Sequence, residues 1–486
     1  MNKPLRRIAI FCGLLVLALL VRTNWLQFGE ADALNSKKQN LRVGIERYAH
    51  ERGNIIVDGN PITGSAVSKS TYYKYKRTWK DGPMWAPVTG YSSQVFDATQ
   101  LEKINDSILT GNDDRLFFDR TLSMFTGEKK QGGNVVTTLN AAAQKAAFNG
   151  LGSKKGAVAA LDPKTGAILA LASTPSYDPS QFAGNTNTDS KNYNRLKDAK
   201  DQPMLNRALR QTYPPGSAFK VVTASAALEN GLYDGIDSPT RSPLPWRLPL
   251  STQNLNNEGN IPCKNATLRE ALRVSCNTVF GKIGADLGND KMREEAEKFG
   301  FNSEQFTPVR ADASVFSKNM DKAQTALSSI GQFNTAATPL QMAMVASAVA
   351  NDGKLMKPYM VDRLTAPNLD TVSKTDPEKL SDPLTKEHAQ MLQQMMETVV
   401  TKGTGLKAQI PNVTVGGKTG TAQNGINNSG NPYAWFISYA KTDQGSPVAV
   451  AVVVEDSAAS RDDISGGGLA APIAKNVMKA VIDSEK

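Results

Sequence analysis

The chain has 486 residues, 40% hydrophobic and 21% charged, which is enough for two or three domains with sizeable cores. Its formal charge is +10, yet no Lys/Arg run of the kind that tracks nucleic acid occurs, so the basic balance reads as a solvated surface tolerant of anionic lipid or wall polymers. Only two histidines are present, His50 and His388, which argues against a Ser-His-Asp hydrolase and against a His-rich zinc site; any acyl-transfer chemistry here must use lysine as its base.

In chain order, Lys3, Arg6 and Arg7 precede an unbroken apolar run over residues 8–21, followed by Arg22, Trp25, Leu26 and Phe28. The run is short for a span of roughly 20 residues, but counting on to Leu26 with Arg22 snorkelling and Trp25 at the interface brings it close. Leading basic residues point the rest of the chain outward. Ala31-Asp32-Ala33 offers a signal-peptidase site, though it lies further from the apolar run than cleavage prefers, so an uncleaved anchor is favoured.

Residues 35–150 are polar and mixed, with short strand-like runs such as 54–57, where Asp58-Gly59-Asn60 signals a tight hairpin. No nucleophile with a base, phosphate loop or carboxylate pair stands out, so this segment reads as a spacer or docking module. Residues 135–139 and 140–151 read as a strand and a helix leading into the next domain.

From Gly156 the texture changes. Residues 157–161 and 167–172 form a predicted hairpin of buried strands around a polar turn. The stretch 213–220, Tyr-Pro-Pro-Gly-Ser-Ala-Phe-Lys, delivers the chain into a helix that is apolar or small all round and ends before Gly231. A polar loop follows over 244–264. Helices are expected over 266–287, 292–299 and 340–351, and 362–383 reads as polar surface. Strands are expected at 413–415, 434–439 and 448–454, with an Asn/Gly-rich loop at 424–432, read as mobile, between two of them. A last helix spans 471–482. Strands first and last with helices between give an α+β domain around one antiparallel sheet. No internal repeat occurs.

Three motifs carry chemistry: Ser217-x-x-Lys220, Ser275-Cys276-Asn277 and Lys418-Thr419-Gly420-Thr421. Ser217 and Lys220 lie one turn apart on one helix face, and a lysine in apolar surroundings loses its proton readily enough to activate a serine. Each triplet alone is weak, and the chain carries decoys. Ser438 and Lys441 match the first motif but lie on a strand, where positions three apart face opposite ways. Lys164-Thr165-Gly166 sits in a hairpin turn, and Ser190-Lys191-Asn192 and Ser317-Lys318-Asn319 lie in polar sequence. Only the first trio occurs in order with suitable supports.

With these motifs the chain resembles the penicillin-recognising serine acyltransferases, and among them the monofunctional (class B) penicillin-binding proteins of the actinobacterial penicillin-binding protein A type. Asn206-Arg207-Ala208, Gly331-Gln332, Thr338-Pro339-Leu340-Gln341, Ala434-Trp435-Phe436 and Arg52-Gly53-Asn54-Ile55 extend the likeness over nearly the whole chain. The resemblance implies a membrane anchor over 1–34, a small mixed α/β pedestal or dimerisation-like module over 35–150, and a serine β-lactamase/D,D-peptidase-like transpeptidase domain over 151–486. It implies that Ser217 attacks a stem-peptide D-Ala carbonyl and that Lys220 takes its proton. Ser275 would relay protons, with Asn277 holding Lys220 and the substrate amide. Lys418, Thr419, Gly420 and Thr421 would bind the terminal carboxylate, and the backbone N–H groups of Ser217 and Thr421 would form the oxyanion hole. No metal or cofactor is expected. Expected partners are stem peptides, β-lactams, the membrane, a separate glycosyltransferase and other wall-synthesis or division proteins, with no nucleic acid. The catalytic domain would face the extracytoplasmic side, for division or growth of the wall. Of the three cysteines, Cys12 lies in the apolar run and no CxxC occurs; in an outward-facing domain Cys263 and Cys276 fit a disulfide and fit two buried thiols equally.

Three rivals stay open. A class A β-lactamase would carry a Glu-x-x-x-Asn loop between the second and third motifs, and no convincing match is found there. A D,D-carboxypeptidase would share every motif. A catalytically weak wall-assembly scaffold or β-lactam sensor would keep the motifs without the turnover, and a sensor would need further spans or an output domain.

Overall fold

A computed structural model describes the chain except residues 1, 2, 36, 38, 39, 118–120, 122–124, 128, 129, 426, 427 and 486. Helix α1, Lys3–Asn24, continues as a π-turn to Gly29, giving one helix of 27 residues whose most apolar 18-residue stretch has a mean hydropathy of 2.1 and is not buried by the rest of the chain. At 1.5 Å per residue it is long enough to cross a bilayer.

The next segment begins with β1 (Ile55–Val57) and β2 (Asn60–Pro61), joined by Asp58 and Gly59 at φ 47° and 74°, the left-handed pair that a tight hairpin of this hand requires. Strands β3 (Thr63–Val67) and β4 (Tyr75–Trp79) form a second hairpin. Strand β5 (Asn134–Thr137) pairs parallel with β1, and Asn140 then caps α2 (Ala141–Leu151) through Oδ1 and the Ala143 amide. Buried between these elements is a charge cluster that the sequence reading missed. Glu102 accepts from Arg52 Nε and Arg77 Nε, both at 2.7 Å, and Arg52 also reaches Asp106 at 2.6 Å.

Strands β6 (Lys155–Leu161) and β7 (Ile168–Thr174) form the expected hairpin, followed by α3 (Asn187–Lys197). A short 3-10 turn, Gly216–Phe219, runs into α4 (Lys220–Glu229), which is buried along almost its whole length. Then come α5 (Leu268–Arg273), α6 (Asn277–Lys298), α7 (Pro339–Ala350), β8 (Val361–Thr365), β9 (Thr371–Lys374), α8 (Lys386–Lys402), β10 (Thr414–Ala422), β11 (Tyr433–Thr442), β12 (Gly445–Asp456) and α9 (Ala471–Ser484). The chain is thus α+β, as expected.

The main sheet is antiparallel throughout, in the order β10-β11-β12-β6-β7. Its strands bury both faces, and alternation sorts their side chains into two cores. Ala157, Ala159, Trp435, Ile437, Ala451 and Val453 join the core built with α4 and α7. Val158, Ala160, Phe436, Val450 and Val452 join the core built with α2 and α9. Helices therefore cover both faces of one sheet.

Four expectations need correction. Residues 362–383 are not merely polar surface: β8 pairs with β5 and β9, so the second sheet runs β9-β8-β5-β1-β2 and crosses the boundary expected at residue 150. The helix expected over 266–287 breaks at Ser275, and α6 then continues to Lys298 through a kink at Gly288 (φ 81°). The strand expected at 413–415 runs on to Ala422, with Lys418 in the middle of β10, because Gly416 and Gly417 continue the pairing. Helices α3 and α8 were not anticipated. In α8, Ala389, Leu392, Met396 and Val399 recur at helical spacing and are buried, so that signal was present; α3 buries only Leu196 and announces itself mainly by its Thr186/Asp189 capping box. The loop read as mobile over 424–432 includes residues 426 and 427, which lie outside the described residues.

Candidate active site

Three elements deliver the motif residues to one place. The turn Gly216–Phe219 presents Ser217, and α4 starts directly with Lys220. Gly216 holds φ 52°, and its amide donates to Gly331 O at 2.9 Å; a Cβ on Gly331 would stand 2.1 Å from Gly216 O, so Gly331 is glycine because the two backbones touch. Phe219 locks the turn from beneath, packing on Phe301 and Phe316. Above it, Trp435 Nε1 donates to Pro214 O at 2.9 Å.

Ser275 comes from the break between α5 and α6, and the geometry of that break is a Schellman motif. The Cys276 amide donates to Ala271 O at 2.8 Å and the Ser275 amide to Leu272 O at 3.3 Å, which places Ser275 where helices usually put glycine. Its φ is 64°. A β-carbon in that region costs ~1–2 kcal/mol, and the sequence accepts the cost to aim a hydroxyl. Cys276 is joined to Cys263 in a disulfide, with a Cα–Cα distance of 5.8 Å, so the break is tied to the preceding loop. That loop also supplies Asn257, whose Oδ1 accepts from the Asn277 and Thr278 amides at 2.7 and 3.1 Å and caps α6 from outside the helix. Sequence reading treated 244–264 as a plain polar loop. An Asx cap formed across twenty residues leaves no local signal.

The amines converge on Ser275. Lys220 Nζ donates to Ser275 O and Asn277 Oδ1, each at 2.7 Å, and lies 3.1 Å from Ser275 Oγ. Lys418 Nζ lies 3.0 Å from the same Oγ and donates to Thr419 O at 2.8 Å. Both lysines are fully buried, whereas Ser217 keeps 8% of its surface open, so the serine is reachable and the amines are not. None of the described hydrogen bonds involves the Ser217 hydroxyl; such contacts often tighten only once substrate is bound. Burial, then the neighbouring Lys418 charge, holds Lys220 well below the usual lysine range, with Glu258 opposing weakly. Burial likewise pulls Lys418 down to about 7, again against Glu258.

Strand β10 lies directly against the nucleophile turn. A Cβ on Gly420 would meet Pro215 O at 2.8 Å and Ala218 N at 3.1 Å, so only glycine lets β10 approach that closely. Thr419 Oγ1 is 2.6 Å from Thr404 Oγ1, a second hydroxyl that sequence reading missed. Thr421 stands two residues beyond, opposite Ala434. The structure therefore brings together Ser217, Lys220, Ser275, Asn277, Lys418, Thr419 and Gly420, with Thr421 next along the same strand. The decoys stay apart. Ser438 is buried in β11, Lys441 bonds Gln393 at 3.4 Å, and Lys164-Thr165-Gly166 occupies the turn at the far end of the β6–β7 hairpin.

A serine one turn from a buried, neutral-leaning amine, with a second buried amine on the same neighbouring hydroxyl, suits acyl transfer. Comparison with known proteins agrees. Residues 156–479 match the penicillin binding protein transpeptidase domain, and residues 52–135 match the penicillin binding protein A dimerisation domain. The chain is 38% identical to the peptidoglycan D,D-transpeptidase PbpA of Mycolicibacterium smegmatis, covering 99% of both. It is 38% identical to PbpA of Mycobacterium tuberculosis, covering all of both. Among solved structures, the ceftriaxone acyl-enzyme complex of penicillin-binding protein A from M. tuberculosis superposes with a TM-score of 0.85 at 38% identity, over 90% of this chain and 100% of that one. The D,D-transpeptidase domain of a peptidoglycan glycosyltransferase from Eggerthella lenta follows at 0.76 and 31% identity, over 90% and 99%.

Proposed function

The chain belongs to the penicillin-binding proteins, of the class B penicillin-binding protein A type, and from that premise we propose how its residues share the work. It is a peptidoglycan D,D-transpeptidase, a serine acyltransferase that forms an acyl-enzyme and reacts with β-lactams. Ser217 Oγ attacks the carbonyl of the penultimate D-Ala of a donor stem peptide while its proton passes to Lys220 Nζ. A neutral amine has two N–H groups and one lone pair; Ser275 O and Asn277 Oδ1 occupy both N–H groups, which leaves the lone pair to accept. The backbone N–H groups of Ser217 and Thr421 hold the developing oxyanion. On collapse, the C–N bond to the terminal D-Ala breaks, and Ser275, fed by Lys220, hands a proton to the departing amine. The amine of a neighbouring stem then attacks the ester, loses its proton along the same path, and the cross-link forms.

Lys418 supplies positive charge near Ser275 and, with Thr419, Gly420 and Thr421, receives the substrate's terminal carboxylate. The observation that carries this reading is the convergence of both buried amines on one hydroxyl, at 3.1 and 3.0 Å. The Cys263–Cys276 bridge stiffens the segment that presents that hydroxyl. Helix α1 anchors the chain, and by the positive-inside bias the catalytic domain lies on the extracytoplasmic face. Residues 35–150 act as a docking pedestal, and glycan polymerisation falls to a separate glycosyltransferase among other wall-synthesis or division partners.

Incubation of the full chain with benzylpenicillin, followed by intact mass and peptide mapping, tests the assignment. A single long-lived adduct on Ser217 supports it. An adduct lost within seconds indicates a β-lactamase, and none at all leaves a scaffold. Release of D-Ala without cross-linked product, even with an acceptor amine present, would make it a carboxypeptidase.

A further inference from the structure

The loop over residues 256–263 is tied at both ends to the segment that carries Ser275. At one end, Asn256 O accepts from Asn277 Nδ2 at 2.8 Å, and Asn257 Oδ1 accepts from the Asn277 and Thr278 amides at 2.7 and 3.1 Å. Asn257 Nδ2 donates in return to Thr278 Oγ1 at 3.2 Å. At the other end, Cys263 is bridged to Cys276. Just before the loop, Leu255 is buried beside α6; a Cβ on Gly281 would stand 2.5 Å from Leu255 Cδ2.

Between these ties stands Glu258. It is exposed, and among the described residues no hydrogen bond or ion pair engages its carboxylate. Gly259 follows at φ 74°, with open space where a Cβ would be, so the chain turns here at a solvent edge. The carboxylate nevertheless acts on both buried amines, Lys220 and Lys418, opposing what burial does to each. A charge in water is screened within ~8–10 Å, so one that acts on both amines stands at the rim of the space in front of them.

The chemistry says what passes that rim. A step and its reverse share one path, so the amine that attacks the acyl-enzyme takes the place of the amine that left it. The departing amine is protonated from Ser275, and the acceptor therefore arrives at Ser275, against which the Glu258 loop is fixed. An alkyl amine near neutral pH is an ammonium ion. The acidic end of the donor is drawn to Lys418 and gains nothing from a second carboxylate. An unpaired carboxylate on this approach suits the cationic acceptor.

We infer that Glu258 is a specificity-determining residue for the acceptor, taking up the ammonium group of the incoming stem and holding its nitrogen toward the Ser217 ester. The inference rests on the transpeptidase reading and adds to it a selector for the second substrate. The ammonium sheds one proton to water at the exposed rim. The neutral amine then attacks the ester carbon, a C–N bond forms, and the C–O bond to Ser217 breaks. The second proton passes by way of Ser275 to Lys220, which returns one to Ser217 Oγ. Water carries no charge for Glu258 to hold, so the carboxylate favours cross-linking over hydrolysis of the same ester.

The test uses the full chain in detergent, with benzoyl-D-alanyl-thioglycolate as an amine-free donor. N-acetyl-L-lysine amide is the charged acceptor, and hydroxylamine, uncharged near neutral pH, is the control. Glu258→Gln should lower the ratio of aminolysis to hydrolysis with lysine amide by about fivefold, the scale of an exposed ion pair, and Glu258→Lys should lower it further. The hydroxylamine ratio and the rate of benzylpenicillin acylation should move by less than about twofold, since neither calls on a cation at the rim. Raising salt from about 0.05 to about 0.5 M should lower the lysine amide ratio in the wild type and leave Glu258→Gln flat. Glu258 is exposed, so both variants should fold. Equal ratios in wild type and both variants overturn the inference, as does a wild type that acylates but forms no lysine amide product. Parallel loss of benzylpenicillin acylation in Glu258→Gln overturns it by making the carboxylate a tuner of the lysines. Slower acylation by a donor that bears a side-chain ammonium, with the ratio unchanged, overturns it in favour of a donor site. Failure of the wild type to form any acyl-enzyme strikes the transpeptidase reading instead.

Discussion

Two pairs of buried cations stand in this chain, and they are built for opposite purposes. Around Glu102, Arg52 and Arg77 are both paired through their Nε atoms, and Asp106 adds a second carboxylate. Burial alone would lower Arg52, but Glu102 and Asp106 outweigh it and hold its charge more firmly than usual. Arg77 is lowered, first by burial, because it shares Glu102 with Arg52; a guanidinium stays charged regardless. Around Ser275, the described hydrogen bonds of Lys220 and Lys418 go only to neutral oxygens, and the carboxylate that acts on them, Glu258, is exposed. Their burial goes uncompensated, so the ammonium form gives way. Pairing fixes a charge for structure, whereas withholding a partner frees a proton for chemistry.

The sharpest break of this contrast is at the nucleophile. Ser217→Ala should leave both lysines in place yet give no covalent benzylpenicillin adduct by intact mass. Removing the depressed amine comes next: Lys220→Ala should slow acylation by ~10²–10⁴-fold, read from the rate of adduct growth, with little change in the unfolding midpoint. The paired cluster should show the reverse pattern. Glu102→Ala leaves two guanidinium groups buried with one partner lost, a cost of ~3–5 kcal/mol in urea unfolding, while acylation per folded molecule stays unchanged.

The smallest and most diagnostic effect is on pH. Acylation should fall in acid as Lys220 takes a proton. Use of a stem-peptide donor should also fall above about 7, as Lys418 loses the charge that holds the carboxylate. Stability follows the same shifts. Between about 7 and the ordinary lysine range, near 10.4, the unfolded chain binds protons that the folded one does not, so stability should rise with pH across that window. Lys418→Met should flatten both the alkaline limb of activity and part of the stability slope, measured by substrate turnover and by urea unfolding at stepped pH.

Legibility followed sequence distance. Ser217 and Lys220 were readable because one helical turn makes them neighbours, and β6, β7, β11 and β12 because strands buried on both faces are continuously apolar. Arg52, Arg77 and Glu102 were not, since the three are 25 and 50 residues apart and each reads alone as a solvated charge. Asn257 was missed for the same reason, and 362–383 looked like surface because β8 finds its partner, β5, more than two hundred residues earlier.

The sequence by itself determined the chemistry available: a serine with a lysine one turn on, a second Ser-x-Asn, a Lys-Thr-Gly strand, and almost no histidine to compete for the role of base. Sequence context singled out one copy of each of those short motifs, and the tertiary structure assembled them into one cluster. It did so by folding Ser275 into a left-handed corner between two buried amines and by laying β10 against Gly216. A motif specifies side chains, but a pKa and a hydrogen bond depend on what is packed around them, and that packing comes from parts of the chain far away in sequence.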